Sequence, residues 1–313
     1  MNETVVVALG GNAILQSNQK GTIEEQMLNV ANASKSIVKL IEDGYRVVIV
    51  HGNGPQVGNI LVQNAAARKE VPSMPMDVCG AESQGLIGYM IQQNILNELR
   101  KKSINKKIAT VITQTIVDKN DYAFKNPTKP VGAFYSKEEA EKNILNGESW
   151  IEDKSRGGWR KLVASPMPKE IIEIDIIKDL VERGFIVVST GGGGIPVIEE
   201  NNKIIGIEAV IDKDLGASIL AKKLKADYLV IATDVKYVSI NFGKKNQENL
   251  ETIDIDTAKK YLDQGEFGSG SMKPKVKAII EFVKCGGKGI ITSLSNLSDA
   301  LKYNKGTRII NKF

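Results

Sequence analysis

The chain has 313 residues, 42% of them hydrophobic and 25% charged, which is typical of a globular protein with one large α/β domain or two lobes. Its 42 basic and 37 acidic side chains give a net charge of +5, and the basic residues are scattered, which argues against a nucleic-acid partner. The sequence shows neither a signal-type segment nor an apolar run near the ~18 residues of a membrane helix. Two distant cysteines, Cys79 and Cys285, fit a reducing compartment. We therefore expect a cytoplasmic protein with no membrane or nucleic-acid partner.

A predicted buried strand followed by a glycine loop opens the chain. Residues Val5 to Leu9 form an apolar run without alternation, which is typical of a strand covered on both faces in a parallel sheet. Gly10 and Gly11 follow it, and without a Cβ their backbone N–H groups can approach a phosphate or a carboxylate. The opening therefore predicts an anion-binding loop at the carboxyl end of a strand.

The same pattern of strand and loop recurs along the chain. The later strands are predicted at 47–50, 186–188 and 229–231, and the loops after them are His51-Gly52-Asn53-Gly54-Pro55, Ser189-Thr190 with four glycines, and Ala232-Thr233-Asp234. Any single loop of this kind is also compatible with an ordinary turn between a strand and a helix. Because the carboxyl ends of parallel strands meet at one edge of a sheet, we expect the loops together to form one rim that binds anionic groups.

Apolar spacing predicts helices between these strands. Helices are expected at 23–43, 56–67, 82–102 and 256–263. Three more are expected to end at 183, at 225 after the segment 208–214, and at about 284 after the segment 268–275. Further strands are expected at 108–117, 289–292 and 307–310. The helix at 82–102 carries an unusually wide apolar face, which is typical of core packing and, in part, of a subunit interface.

Residues 118–165 do not continue the α/β pattern. They are rich in proline, glycine, lysine and aromatic residues and contain both tryptophans, Trp150 and Trp159. Long functional segments commonly leave an α/β scaffold through its loops, so we predict an inserted lid subdomain over 118–165. A surface excursion without a role is the alternative.

Short motifs of the chain occur in the order and rough spacing found in one known family. They are Ala8-Leu9-Gly10-Gly11-Asn12-Ala13, His51-Gly52-Asn53-Gly54-Pro55-Gln56-Val57-Gly58, Asn126-Pro127-Thr128-Lys129-Pro130, Thr190-Gly191-Gly192-Gly193-Gly194-Ile195-Pro196, Glu208-Ala209-Val210-Ile211-Asp212-Lys213-Asp214 and Gly270-Ser271-Met272-Lys273-Pro274-Lys275-Val276. Over essentially its whole length, the chain therefore resembles the carbamate kinases, which belong to the amino acid kinase superfamily.

The resemblance implies a fold as well as a domain plan. The fold would be a three-layer α/β/α arrangement with a mainly parallel central sheet and a small protruding lid. Residues 1–313 would form a single amino acid kinase-like α/β domain. Its carbamate half would lie at about 1–185 and its nucleotide half at about 186–313.

The resemblance also implies an activity. The family transfers the γ-phosphoryl group of ATP reversibly to carbamate, which gives ADP and carbamoyl phosphate. Carbamate suits this chemistry because it is a small anion whose oxygen attacks without a strong base, so that positioning and charge neutralisation dominate catalysis. The resemblance further implies Mg²⁺ as cofactor, a homodimer, and a reaction run toward ATP in arginine catabolism (the arginine deiminase pathway), although the sequence itself does not give the direction.

Candidate site residues follow from their positions in the motifs. The catalytic residues that the resemblance implies are Lys129, Lys213, Asp214 and Lys275. Those implied for carbamate are Gly10, Gly11, Asn12, Gly52, Asn53 and Gly54. Those implied for the nucleotide are Lys213, Thr233, Asp234, Val235, Met272 and Lys275. Mg²⁺ would be held through the phosphates, with Asp214 reaching it through water.

One position departs from the wider superfamily. Many of its members carry a lysine two residues before the first glycine of the opening loop, where this chain has Ala8. The positive charge must then come from elsewhere, and the resemblance points to Lys129 in the predicted lid. The single histidine, His51, follows a strand, but the chemistry needs no general base, so we expect it to pack or to form a hydrogen bond.

Three other functions are compatible with parts of the pattern. Another kinase of the superfamily, such as one acting on acetylglutamate, is disfavoured by Ala8 and by the motif at 126–130. A catalytically silent sensor of a nucleotide or small anion is disfavoured because the charged motif residues are all present. A nicotinamide dehydrogenase is disfavoured because the last glycine of Gly52-Asn53-Gly54-Pro55-Gln56-Val57-Gly58 is one residue too late for the dinucleotide fingerprint.

Overall fold

The computed structural model describes residues 2–153, 157–268 and 271–312, so Gly270, in the last of the motifs, lies outside the described residues. The strands are β1 Thr4–Leu9, β2 Arg46–His51, β3 Ile108–Thr110, β4 Gln114–Val117, β5 Lys129–Tyr135, β6 Ser149–Asp153, β7 Gly158–Val163, β8 Pro168–Ile171, β9 Ile186–Val188, β10 Ile195–Glu200, β11 Lys203–Gly206, β12 Tyr228–Thr233, β13 Val238–Ile240, β14 Glu248–Leu250, β15 Thr252–Asp254, β16 Lys288–Ser293 and β17 Thr307–Ile310. The helices are α1 Ile23–Glu42, α2 Gly54–Ala67, α3 Met76–Lys101, α4 Lys137–Leu145, α5 Ile174–Glu182, α6 Lys213–Lys223, α7 Ile255–Asp263, α8 Met272–Val283 and α9 Leu297–Lys302.

An eight-stranded sheet forms the centre of the molecule. Its strand order is β15-β17-β16-β12-β1-β2-β9-β3, and its neighbours pair in parallel except for the antiparallel pair of β16 and β17. The four strands that carry the predicted loops, β12, β1, β2 and β9, are consecutive in this order. Their loops therefore lie side by side along the carboxyl edge, as predicted, and the binding of anions by this rim stays a prediction.

Helices cover both faces of this sheet. On one face, Val6 and Ala8 of β1 belong to a buried cluster with residues of α5, α6 and α8. On the other face, Val5, Val7 and Leu9 belong to a second cluster with residues of α1, α3 and α9. The predicted three-layer α/β/α fold is thus confirmed, and the apolar run of β1 reflects burial on both sides.

The predicted strand over 108–117 is wrong in its extent. It divides into β3, which is the last strand of the central sheet, and β4, which belongs to a second sheet in the order β11-β10-β4-β8. Between them, the backbone N–H of Thr113 donates to the side chain of Gln84 at 2.8 Å. This buried contact with α3 replaces a strand pairing, so the chain leaves one sheet and enters the other.

The helix predicted at 82–102 begins earlier, at Met76. Pro75 occupies the position before it, and Asp77 lies in its first turn, where a negative charge is favourable. Two prolines, at 72 and 75, on their own predict a loop over 71–77, but Pro75 directly precedes the helix, where its missing N–H costs nothing.

Within the segment predicted as a lid, β5, β7 and β6 form a separate antiparallel sheet, joined by α4. Val131 and Val163 of this sheet pack against Met76 of α3. The small sheet is therefore attached to the body at its base, and whether it moves as a lid stays a prediction. Among the helices of the described ranges, none combines the length and the apolar character that a membrane crossing requires.

Candidate active site

Two lysines and one aspartate meet where α6 and α8 begin: Lys275 and Asp214 are buried, and the side chain of Lys213 is 13% exposed. Asp214 accepts from the Nζ atoms of Lys213 at 2.5 Å and of Lys275 at 3.0 Å, one on each carboxylate oxygen. Burial by itself would raise the pKa of the Asp214 carboxyl, but the two ammonium groups outweigh it and hold that pKa below its usual range. Burial lowers the pKa of Lys213, an effect that Asp214 opposes and Lys275 reinforces. The three residues form a fixed network in which the carboxylate orients both lysines.

A third lysine reaches this network from the small sheet. Lys129 is the first residue of β5, and its Nζ lies 3.0 Å from Oδ2 of Asp212. A cavity of about 600 Å³ separates the small sheet from the starts of α6 and α8. Its lining is Thr128, Lys129, Pro130, Ser165, Asp212, Lys213, Asp214, Ser271, Pro274 and Lys275. The structure thus brings together all four residues predicted as catalytic.

The glycine loops after β1 and β2 lie next to this network. A Cβ built on Gly52 would lie 3.5 Å from the backbone N of Gly11 and 3.5 Å from Cδ of Lys213. The N–H of Gly10 donates to the carbonyl of Ala232, and the N–H of Gly52 donates to the carbonyl of Leu9. The helix α2 begins directly after Asn53, so its amino end faces the same region. Free N–H groups and the helix dipole favour anions at such an end.

Asn12 links the first loop to the residues predicted to bind the nucleotide. Its Nδ2 donates to Oδ2 of Asp234 at 2.6 Å. Thr233, Asp234, Val235 and Met272 line a second cavity, of about 530 Å³, together with the aromatic residues Tyr237, Phe242 and Phe267. Ser271 lines both cavities, so the two adjoin at the start of α8. The predicted nucleotide residues therefore divide between the cavities, with Lys213 and Lys275 in the first.

The loop of four glycines packs behind the site. A Cβ on Gly192, whose φ is +65°, would lie 2.3 Å from Nδ2 of Asn53. The same Nδ2 donates to Oγ of Ser83 at 2.9 Å, and Ser83 donates in turn to the carbonyl of Gly80. Only glycine leaves room for the Asn53 side chain here, so this loop fixes the loop after β2 from behind.

Sequence reasoning missed the polar residues that support the site. Gln84 donates from Nε2 to the carbonyl groups of Thr113 and Gly191, at 3.1 and 2.9 Å, and is buried. It interrupts the apolar stripe of α3 three residues before Ile87, and a polar residue at such a position was the available signal. Asp212 was quoted within a motif but not given a role, although an aspartate just before a helix is typical of an N-cap.

His51 is 1% exposed, and its Nδ1 lies 3.0 Å from the carbonyl of Gly52. A carbonyl only accepts, so Nδ1 carries the proton and donates. Burial lowers the pKa of His51 to about 4, so the ring is neutral at pH 7. A Cβ on Gly191 would lie 2.3 Å from its Nε2, which shows how closely the ring packs on the glycine loop.

Within the described ranges, no group of three or more histidine, cysteine or acidic residues is placed to hold a metal ion. The nearest acidic group to the lysines, Asp214, already accepts from an ammonium on each oxygen. This donor set fits a Mg²⁺ ion that keeps most of its ligands from water and substrate phosphates, as Mg²⁺ commonly does, rather than a cage of side chains.

Comparison with known proteins identifies the family. Residues 3–293 match the model of the amino acid kinase family. Carbamate kinases from Thermococcus kodakarensis and Pyrococcus horikoshii are 53% and 50% identical to this chain, over 98% and 99% of it and the same shares of theirs. The structure of carbamate kinase from Giardia lamblia bound to AMP-PNP superimposes with a TM-score of 0.94, at 48% identity and over 99% of each chain. The chain therefore belongs to the amino acid kinase family and, within it, to the carbamate kinases.

Proposed function

We propose that phosphoryl exchange between ATP and carbamate takes place in the cavity at the start of α6. The observation that carries this proposal is the convergence of Lys129, Lys213 and Lys275 on that cavity. Three ammonium groups face only two carboxylates among its lining residues, Asp212 and Asp214, so the cavity favours anions. That excess matches the negative charge on a phosphoryl group in transfer.

In the proposed reaction, an oxygen of carbamate attacks the γ-phosphorus of ATP, the bond to the bridging oxygen breaks, and ADP leaves with the electron pair. No proton has to be removed, because the nucleophile is already an anion. Asp214 holds Lys213 and Lys275 in place before the reaction begins. Their ammonium groups then need little rearrangement to stabilise the transition state, which is the main source of catalysis in such sites.

We infer that backbone N–H groups bind the carboxylate end of carbamate. The N–H groups of Gly10 and Gly52 already donate to neighbouring strands, so their contribution is space for the substrate. Gly11, Asn12, Asn53 and Gly54, at the turn after β1 and the amino end of α2, are left to supply donors. Such a pocket recognises a small anion and excludes bulky acids by size.

The adenosine part of the nucleotide is proposed to occupy the second cavity. Two features support this proposal: the cavity has an aromatic lining that suits a base, and it adjoins the lysine cavity at Ser271, where the phosphates would follow. Thr233, Asp234, Val235 and Met272 would contact the nucleoside. The Giardia lamblia relative was solved with AMP-PNP, an ATP analogue, which supports nucleotide binding by this chain.

We propose that Mg²⁺ accompanies the nucleotide, held by its phosphates, with Asp214 reaching the ion through water. When bound, it would neutralise phosphate charge and orient the γ-phosphoryl group. A test is fluorescence-monitored ADP binding with and without Mg²⁺. Equal affinity in both conditions would contradict a Mg²⁺–nucleotide complex as the bound species.

We also propose a division of the single domain into a carbamate half, about 1–185, and a nucleotide half, about 186–313, with the inserted lid over 118–165. Support comes from the separate sheet of β5, β7 and β6, which carries Lys129 into the site. We expect hydrogen exchange in this sheet to slow when nucleotide and substrate are both bound. Unchanged exchange would argue against a lid.

Further proposals concern the setting of the enzyme. The two free cysteines, Cys79 and Cys285, support a reducing compartment such as the cytoplasm. We propose that the reaction runs toward ATP, within arginine catabolism, as the family resemblance implies. We also propose that the enzyme is a homodimer.

A competition between acceptors tests the activity. Carbamoyl phosphate with ADP and Mg²⁺ should yield ATP, whereas acetylglutamate with ATP should yield no ADP above background. Acetylglutamate needs room for an amide and two carboxylates, with basic groups to pair them. Turnover of acetylglutamate without turnover of carbamoyl phosphate would overturn the proposed acceptor and leave the family fold in place.

A further inference from the structure

Asp212 joins the small sheet to the helix that carries the buried lysine network. Its Oδ1 accepts from the backbone N–H of Asp214 at 2.9 Å and so caps the amino end of α6. Its Oδ2 accepts from Nζ of Lys129 at 3.0 Å. One carboxylate therefore connects the helix that begins with Lys213 to the lysine that comes from β5.

The burial of the pair is unequal. The side chain of Asp212 is 15% exposed, whereas that of Lys129 is 43% exposed. The cap bond fixes the orientation of the carboxylate, while a lysine with this exposure would otherwise sample many rotamers. Partly exposed ion pairs contribute little to stability. This ion pair therefore fixes the position of the Lys129 ammonium group and adds little to the stability of the fold.

We propose that Asp212 is a positioning residue that presents the Lys129 ammonium to the transferring phosphoryl group. The proposal rests on the proposed function of Lys129. An ammonium group has three N–H donors, so the bond to Asp212 leaves two for an anion in the cavity. Asp212 and Asp214 then have parallel tasks, since Asp214 orients Lys213 and Lys275, and Asp212 orients the more exposed Lys129.

The chain offers a matched control in Asp118. Its Oδ1 accepts from the backbone N–H of Asn120 at 2.9 Å, and its Oδ2 accepts from Nζ of Lys169 at 2.7 Å. The pair thus repeats the local geometry of Asp212, with one oxygen on an N–H two residues later and the other on a distant lysine. Asp118 is not among the residues that line the lysine cavity.

The experiment compares four variants in ATP formation from carbamoyl phosphate and ADP, with kcat, KM and melting temperature measured for each. They are Asp212→Asn, Lys129→Met, the double variant of both, and Asp118→Asn. Asparagine keeps the cap, because its side-chain oxygen still accepts from Asp214, but removes the charge that holds Lys129. We expect Asp212→Asn to lower kcat about tenfold with little change in KM for ADP, since small misplacements of an aimed group are costly.

Dependence on Lys129 separates positioning from a structural role. In the Lys129→Met background, Asp212→Asn should lower kcat less than twofold. As a single substitution, Asp118→Asn should leave kcat and KM as in the unmodified enzyme. Losses that multiply in the double variant would overturn the inference, as would an unchanged or higher kcat for Asp212→Asn alone. If Lys129→Met itself retained full kcat, the proposed role of Lys129 would fail first, which is a distinguishable result.

Discussion

At the scale of single residues, Lys275 gives the sharpest test of the proposed mechanism. Its ammonium is buried and bonded to Asp214, whereas Lys277, two residues later on α8, is exposed. We expect Lys275→Met to lower kcat by about 10²–10³, the usual cost of removing an aimed donor. Lys277→Met should have no effect. A folded Lys275→Met enzyme with normal turnover of carbamoyl phosphate would exclude Lys275 from catalysis.

His51 makes stability depend on pH. Its pKa is about 4 in the folded chain against 6.5 in the unfolded chain, so the unfolded state binds more protons between these values. The free energy of unfolding should therefore decrease as the pH is lowered below 6.5. The decrease from this group alone is about 2 kcal/mol between pH 7 and pH 5. Urea unfolding of the unmodified protein and of His51→Gln at several pH values measures how the free energy of unfolding depends on pH. Equal slopes in the two proteins would show that His51 does not titrate as stated.

The candidate catalytic residues were predictable because their motifs match those of a known family, and the structure brings all four to one cavity. The polar residues that hold the site in place from α3 could not be predicted from the sequence. Ser83 and Gln84 lie on a helix that reads as apolar core, and their partners are residues far away in sequence. No local pattern shows which distant backbone groups need a donor, so such supports emerge only from the folded structure.

At the scale of elements, one glycine in α6 sets how closely that helix approaches the glycine loop. A Cβ on Gly216 would lie 2.7 Å from Cα of Gly193, which is backbone and cannot easily move. We expect Gly216→Ala to reduce the free energy of unfolding by roughly 1–3 kcal/mol, despite the better helix propensity of alanine. Gly80→Ala in α3 is the control, since a Cβ there meets nothing within 4 Å and should be neutral or stabilising. Equal effects of both substitutions would refute the close-approach argument.

The strands of the central sheet and the helices that cover it were predictable from their apolar patterns. The division of residues 108–117 into two strands of different sheets was not. Residues on both sides of the break have strand-like composition, so periodicity alone continues the strand. The break arises because Gln84 binds both backbone groups of Thr113. A tertiary hydrogen bond here overrides local propensity, as it commonly does for short strands.

At the scale of the whole molecule, the open edge of the central sheet is the surface to explain. β3 is the last strand of this sheet. Beside it, Tyr89 of α3 is 58% exposed, and Ile112, which follows β3, is 44% exposed. These two residues line one shallow cavity together with Gln93 and Leu96. Among the described residues, β3 pairs with no strand on its outer side. Such an edge next to exposed apolar side chains is typical of an interface, and a symmetric pair of copies would cover both at once.

We therefore predict a homodimer that forms through α3 and β3. Tyr89→Glu places a charge in the patch and should shift the protein to monomers in sedimentation at micromolar concentration, because an unpaired charge is costly in a buried interface. Tyr303→Glu should leave the mass unchanged, because Tyr303 is 67% exposed but does not line this cavity. A monomeric mass for the unmodified protein would refute the dimer. A dimer that persists in Tyr89→Glu would place the interface on another surface.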